Sequence, residues 1–182
     1  PGSLTAARLA AGAAIEAVAD VLSDKHPRAM ALVRPPGHHA VPSGAMGFCL
    51  FSNVAVAARE ALARHAVNRI LIVDFDVHHG NGTQDVFYES PEVAFLSVHR
   101  HPFYPGTGRK DETGSGPGLG LTSNIPLPFG TPPAVLRAAF RAGLHALADR
   151  HRPELVIVSA GFDAMAEDPV GGLGLDVEDF DA

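Results

Sequence analysis

The sequence runs to 182 residues, and 14 Lys+Arg against 20 Asp+Glu leave a net charge of −6. That length suits one domain able to bury a core without disulfides, and 46% hydrophobic with 19% charged residues excludes a disordered chain. The mild acidity excludes the basic footprint of a nucleic-acid or acidic-membrane binder, a single cysteine excludes a disulfide framework or multi-cysteine zinc finger, and no apolar run approaches the roughly 20 residues of a membrane span.

Residues 4–22 are Ala-rich, with Leu9, Ile15, Val18 and Leu22 at helical spacing and Ser3 as the expected N-cap. Residues 29–34 form a short apolar run stopped by Pro35-Pro36-Gly37 and read as a buried strand. Residues 53–64 read as helix, 69–74 (RILIVD) as the clearest strand, 85–90 as a short helix and 93–99 as a further strand. Residues 100–123 are rich in Gly, Pro and Thr and read as one long loop, a length that usually signals function. A helix over 131–150, with Pro132 and Pro133 in its first turn, and a strand over 154–160 (ELVIVSA) complete the pattern. Continuous Leu/Ile/Val strands separated by helices predict an α/β fold, a parallel sheet covered on both faces, in a single domain over residues 1–182.

Ligands of open parallel sheets bind beyond the carboxyl ends of the strands. Three predicted strand exits carry chemistry there: Arg34-Pro-Pro-Gly-His38-His39, Asp74-Phe-Asp76-Val-His78-His79-Gly-Asn81, and Ser159-Ala-Gly-Phe-Asp163. If residues 74–78 continue as extended chain, Asp74, Asp76 and His78 point to one side. Two carboxylates at a buried strand end call for a compensating cation. A divalent metal on Asp76, His78 and Asp163 is one solution, since catalytic zinc commonly takes three protein ligands and keeps an open position. Two carboxylate ligands leave bound water less acidic, so a nearby base becomes useful; His38 or His39 could supply it, with Asp74 and Asn81 available to orient the rings.

Each residue also has a plainer role. Asp163 alone could be a turn or cap residue, and His79, His99 and His101 could be packed or solvated rings. His26, His65, His145 and His151 fall on or beside predicted helices and are expected at the surface, and Cys49 reads as an inert buried thiol. No G-x-S-x-G elbow surrounds Ser97, and the glycines of residues 114–120 lack the Lys-Ser/Thr of a phosphate loop.

Taken together, Arg34-Pro-Pro-Gly-His-His-Ala40, Gly47-Phe48-Cys49, Asp74-Phe-Asp-Val-His-His-Gly-Asn-Gly-Thr83, Tyr104-Pro-Gly-Thr-Gly108, Ala160-Gly-Phe-Asp163 and Asp168-Pro-Val-Gly-Gly172 resemble the zinc-dependent histone deacetylase and acetylpolyamine amidohydrolase family. The resemblance implies an arginase/deacetylase-like fold and hydrolysis of an acetyl-amide to acetate and a free amine. It implies zinc on Asp76, His78 and Asp163, with His38 and His39 handling protons, Asp74 orienting His38 and Asn81 orienting His39. It also implies a narrow tunnel lined by Gly47, Phe48 and Tyr104 with Val170 near the rim, and a structural potassium ion on Asp74, Asp76, Ser97 and the carbonyls of His78 and Val98. The implied partner is an acetylated lysine side chain or an acetylpolyamine, with no nucleic acid or membrane, and a homo-oligomer is compatible with it.

Asn81 stands where many nuclear members have aspartate, which resembles the class II and bacterial branch. The family's Glu-Gly-Gly-Tyr loop lies beyond the last metal ligand and is absent, as is the family's first strand, so the chain is expected to be a fragment of the full domain with activity reduced about 100- to 1,000-fold by one lost oxyanion donor. Two alternatives follow. A catalytically weak acyl-ligand binder accommodates the missing tyrosine. A dinuclear manganese ureohydrolase needs further acids where this chain has Gly80 and Met165. The absent export signal and lone cysteine predict a cytoplasmic location.

Overall fold

A computed structural model describes residues 2–181 of the chain. Helix α1 (Ser3–Leu22) opens the fold, followed by α2 (Asn53–Arg64), strand β1 (Ile70–Asp74), α3 (Asn81–Phe87), β2 (Val93–Arg100), β3 (Thr122–Leu127), α4 (Pro133–His151), β4 (Leu155–Ser159) and the short α5 (Val177–Phe180). The four strands form one parallel sheet in the order β3-β2-β1-β4.

Composition explains the layers. Ile70, Ile72, Val93, Phe95 and Leu155 face α2, whose buried Ala55, Ala57, Ala58 and Ala61 present so little bulk that α1 packs closely behind through Val18. On the opposite face Leu71, Val73, Ala94 and Leu96 meet Leu147 of α4. Helices thus cover both faces of β1 and β2, which accounts for their unbroken apolar runs. Among the described residues no helix is long and apolar enough to cross a membrane.

Several expectations need correction. Residues 29–34 form no strand; Met30 and Leu32 are exposed, and an apolar run becomes a strand only where a neighbour accepts its backbone hydrogen bonds. Residues 122–127, read as the end of a loop, form β3; its Pro126 is tolerated because β3 is an edge strand. The helix expected over 85–90 begins earlier, at Asn81. Ser3 lies inside α1, whose N-cap is Gly2. His151 is buried rather than at the surface, with Nε2 donating to the Glu92 carbonyl at 3.2 Å.

Candidate metal and acid–base site

The sheet order reverses direction at β1: β2 lies on one side of it and β4 on the other. Chains leaving the carboxyl ends of β1 and β4 therefore diverge around a crevice at this switch point. Asp74 ends β1 in register with Ser97 of β2 and Ser159 of β4, so the loops carrying Asp76-Val-His78 and Gly161-Phe-Asp163 emerge side by side.

Beyond Asp74 the strand does not continue. The Asp76 N–H donates to Asp74 Oδ1 at 3.1 Å and the His78 N–H to Asp76 Oδ1 at 2.8 Å, so two successive aspartate-centred turns curl the chain. Convergence of Asp74, Asp76 and His78 therefore comes from turns, not from the alternation expected of extended chain. Asp163 is drawn in from the other loop, its Oδ1 accepting from the Val77 N–H at 2.9 Å.

His78 Nδ1 lies 2.9 Å from Asp76 Oδ1 and 3.0 Å from Asp163 Oδ2. One ligand atom from each of Asp76, His78 and Asp163 falls within 4.8 Å of the others, an O/N/O donor set able to hold one metal ion. The surroundings fit such an ion: a side chain at position 161 would put its Cβ 2.6 Å from the Asp76 Cβ, and Gly161 leaves that space to the carboxylate.

His38 and His39 reach the site from a loop, not from a strand end. The Gly82 and Thr83 N–H groups at the start of α3 donate to the His38 carbonyl at 2.9 and 3.2 Å. Asn53 Nδ2 holds the Pro35 carbonyl at 3.1 Å. His38 Nδ1 donates to Asp74 Oδ2 at 3.0 Å, and His39 Nδ1 to Asn81 Oδ1 at 2.8 Å. The two ring centroids are 3.9 Å apart. Gly47, at φ 55°, passes directly over the His39 ring where a Cβ would collide with it. Phe48 follows at φ 64°, unusual for a non-glycine residue, with its side chain 92% exposed. Tyr104 meets His39 edge-on at 5.1 Å. Val170 is exposed on a separate turn, tied by its carbonyl to Arg100 Nη1 at 3.3 Å. Ser97 and Val98 are buried on β2.

The family model for the "Histone deacetylase domain" matches residues 1–182. The chain belongs to the histone deacetylase family. "Histone deacetylase 10, chloroplastic" of Oryza sativa subsp. japonica is 52% identical over 170 residues, covering 91% of this chain and 38% of the relative. "Histone deacetylase-like amidohydrolase" of Pseudomonas aeruginosa is 46% identical over 184 residues, covering all of this chain and 48% of its own length. Among solved structures, the HDA15 HD domain superposes with a TM-score of 0.88 at 47% identity, over 92% of this chain and 49% of that one. The acetylpolyamine aminohydrolase from Burkholderia pseudomallei gives 0.84 at 39%, over 90% and 47%. The chain spans less than half the length of each of these four proteins.

Within this deacetylase-family frame the paired histidines differ in charge. Burial disfavours a charged His38, but the Asp74 carboxylate beside it and Asp76 more than offset that and raise it to about 9. Burial also acts on His39, where the neighbouring His38 charge adds to it and the neutral Asn81 restores little, so it falls to about 4. In the metal-free site burial opposes a proton on His78, yet the Asp163 and Asp76 carboxylates raise it to about 9. Burial raises the Cys49 thiol to about 11, in keeping with an inert group.

Sequence reasoning missed two neighbours of the site. Phe103 stacks on the His78 ring at 5.0 Å with planes 16° apart, and Arg100 lies over both Phe103 and Phe129. An aromatic residue inside a Gly/Pro-rich loop was the one available signal. His79 and His99 are packed rings, fully buried beneath the same loop.

Proposed function

We propose that this chain carries the metal and proton-transfer centre of a zinc-dependent deacetylase that hydrolyses an acetyl-amide to acetate and a free amine. The supporting observation is the convergence of one Asp/His/Asp donor set with two buried, differently charged histidines. Zinc would be held by Asp76, His78 and Asp163, where it supplies Lewis-acid polarisation of the amide carbonyl and the attacking water.

The remaining chemistry belongs to the side chains. Asn81 Oδ1 can only accept, so His39 carries its proton on Nδ1 and presents Nε2 as a free acceptor. A neutral ring in that orientation takes the proton of the attacking water and returns it to the leaving amine. His38, held charged by Asp74, stabilises the negative charge developing on the carbonyl oxygen. Gly47, Phe48 and Tyr104 would flank the acyl-bearing stem, with Val170 farther out. Either an acetylated lysine side chain or an acetylpolyamine suits this reading, as the relatives' names span both.

A potassium ion on Asp74, Asp76, Ser97 and the carbonyls of His78 and Val98 belongs to the same reading. His99 Nε2 donates to the Gly108 carbonyl at 2.9 Å, so its Nδ1 accepts from the Ser97 hydroxyl at 2.9 Å. The lone pairs of Ser97 Oγ are thereby left available to a cation.

A lone cysteine suits a reducing compartment and supports a cytoplasmic location. Two plant relatives are named chloroplastic, so fractionation of the native protein is the direct check.

Elemental analysis of purified chain should give about one zinc, lost in Asp163→Ala. Release of acetate from an acetyl-lysine peptide or an acetylpolyamine by the full-length protein completes the test. A folded protein that binds zinc yet releases no acetate from either substrate would leave ligand binding as the better reading.

A further inference from the structure

Residues 101–115 carry Phe103 and Tyr104 across the metal-site histidines; Phe103 packs against the cluster of Val77, Val98 and Leu127, whereas Pro102, Tyr104, Gly106 and Thr107 are all exposed. The exposed stretch is tied down through a polar chain. The Gly108 and Arg109 N–H groups donate to the two carboxylate oxygens of Glu112 at 3.1 and 3.0 Å. Gln84 Nε2, from α3, donates to the same carboxylate at 2.7 Å. Burial works against ionisation of Glu112, but the Gln84 amide and these backbone donors outweigh it and hold the carboxyl below its ordinary value.

The carboxylate sets the polarity of everything behind it. Because Gln84 must turn its NH₂ to Glu112, its Oε1 faces inward and accepts from Asn124 Nδ2 at 2.7 Å and His79 Nε2 at 3.1 Å. His79 therefore carries its proton on Nε2, and its Nδ1 accepts from the Thr107 hydroxyl at 2.8 Å. Gly108, at φ 86°, rests on the His79 and His99 rings, where a Cβ would lie 2.6 Å from His79 Cγ.

We propose that Glu112 is a positioning residue, which through Gln84, His79 and Thr107 clamps the Thr107-Gly108 turn and so sets the Phe103–Tyr104 wall over the substrate path. It touches no reacting atom, and its catalytic consequence rests on the deacetylase reading above.

Glu112→Gln is the discriminating variant: it keeps the shape, but its NH₂ must face either the Arg109 N–H or the Gly108 N–H and Gln84 amide, donor against donor. The protein has two tyrosines and no tryptophan, so labelling with 3-fluorotyrosine gives two ¹⁹F signals, assigned with Tyr88→Phe. In Glu112→Gln and in Thr107→Val the Tyr104 signal should lose the displacement caused by the His39 and His78 rings, or broaden, while Thr107→Ser retains it. In full-length enzyme the same two variants should raise KM about threefold or more with kcat within about twofold. Coincidence of the Tyr104 signal of folded Glu112→Gln with wild type would overturn the proposal. If Glu112→Gln does not fold, an unmoved signal in Thr107→Val does the same. Absence of deacetylase activity in the unmodified enzyme would count against the proposed function alone, since the ¹⁹F comparison needs no turnover.

Discussion

His38 and His39 are adjacent in sequence and share one burial environment, yet only His38 faces a carboxylate, Asp74, while His39 faces the uncharged Asn81. The partner at Nδ1 therefore decides the charge of each ring. Asp74→Asn removes the largest interaction opposing burial at His38, so its midpoint should fall from about 9, with Asp76 and Asp163 still resisting the fall. Following the ring signals of His38 by NMR across the pH range checks this; a persistent midpoint near 9 would assign the effect elsewhere. Gly161 supports a second residue-level prediction. A methyl there displaces the Asp76 carboxylate, so Gly161→Ala should weaken zinc binding about 10- to 100-fold in competition with a chelator. The candidate donor residues were legible in the sequence as a group, because acids and histidines cluster at the predicted strand exits. What brings them together was not: the two turns beyond Asp74 depend on side chain to backbone bonds that periodicity does not encode.

At the level of elements, β1 and β4 have almost interchangeable sequences, ILIVD and LVIVS, but different surroundings. Val73 and Val158 are directly paired in register; Val73 is 4% exposed under α4, whereas Val158 on the edge strand is 51% exposed. Val73→Ala should therefore cost about 2 kcal/mol of stability in the 182-residue chain and Val158→Ala no more than about 0.5 kcal/mol. Urea denaturation of the two variants reads the difference directly. Equal losses would mean that the outer face of β4 is covered in solution. The same contrast explains which elements could be read in advance. Apolar runs such as 70–74 and 155–159 announce a strand, but not its place in the sheet. Residues 29–34 had the composition and lacked a neighbour, while Thr122–Leu127 had Asn, Pro and Ser in place of β-formers and became a strand because β2 offered a free edge.

For the molecule as a whole, buried histidines set the dependence of stability on pH. His39, His79 and His99 are disfavoured as cations, first by burial and then by neighbouring histidines, and fall to about 4, 3 and 4. Below the ordinary 6.5 the unfolded chain binds protons that these three sites refuse, so stability must fall as pH drops from about 6.5 toward 4. His38 and His78 behave oppositely, since each is raised to about 9 against 6.5. Their stabilisation is complete below 6.5 and disappears as pH rises through 9. The metal-free protein should thus be most stable near pH 6.5, with a steeper acid limb, because His151, which burial also lowers, joins those three there against two groups on the alkaline side. Each proton of difference corresponds to about 1.4 kcal/mol per pH unit. Zinc bound as proposed should change one limb more than the other. It would occupy the position of the proton on His78 Nδ1, and its ligands must be deprotonated, so adding zinc should flatten the alkaline limb and raise stability most above pH 7. Urea midpoints measured from pH 4.5 to 9, with chelator and with zinc, test both halves. A flat acid limb would show that the buried rings accept protons in the folded state, and an alkaline limb indifferent to zinc would remove His78 from the metal site.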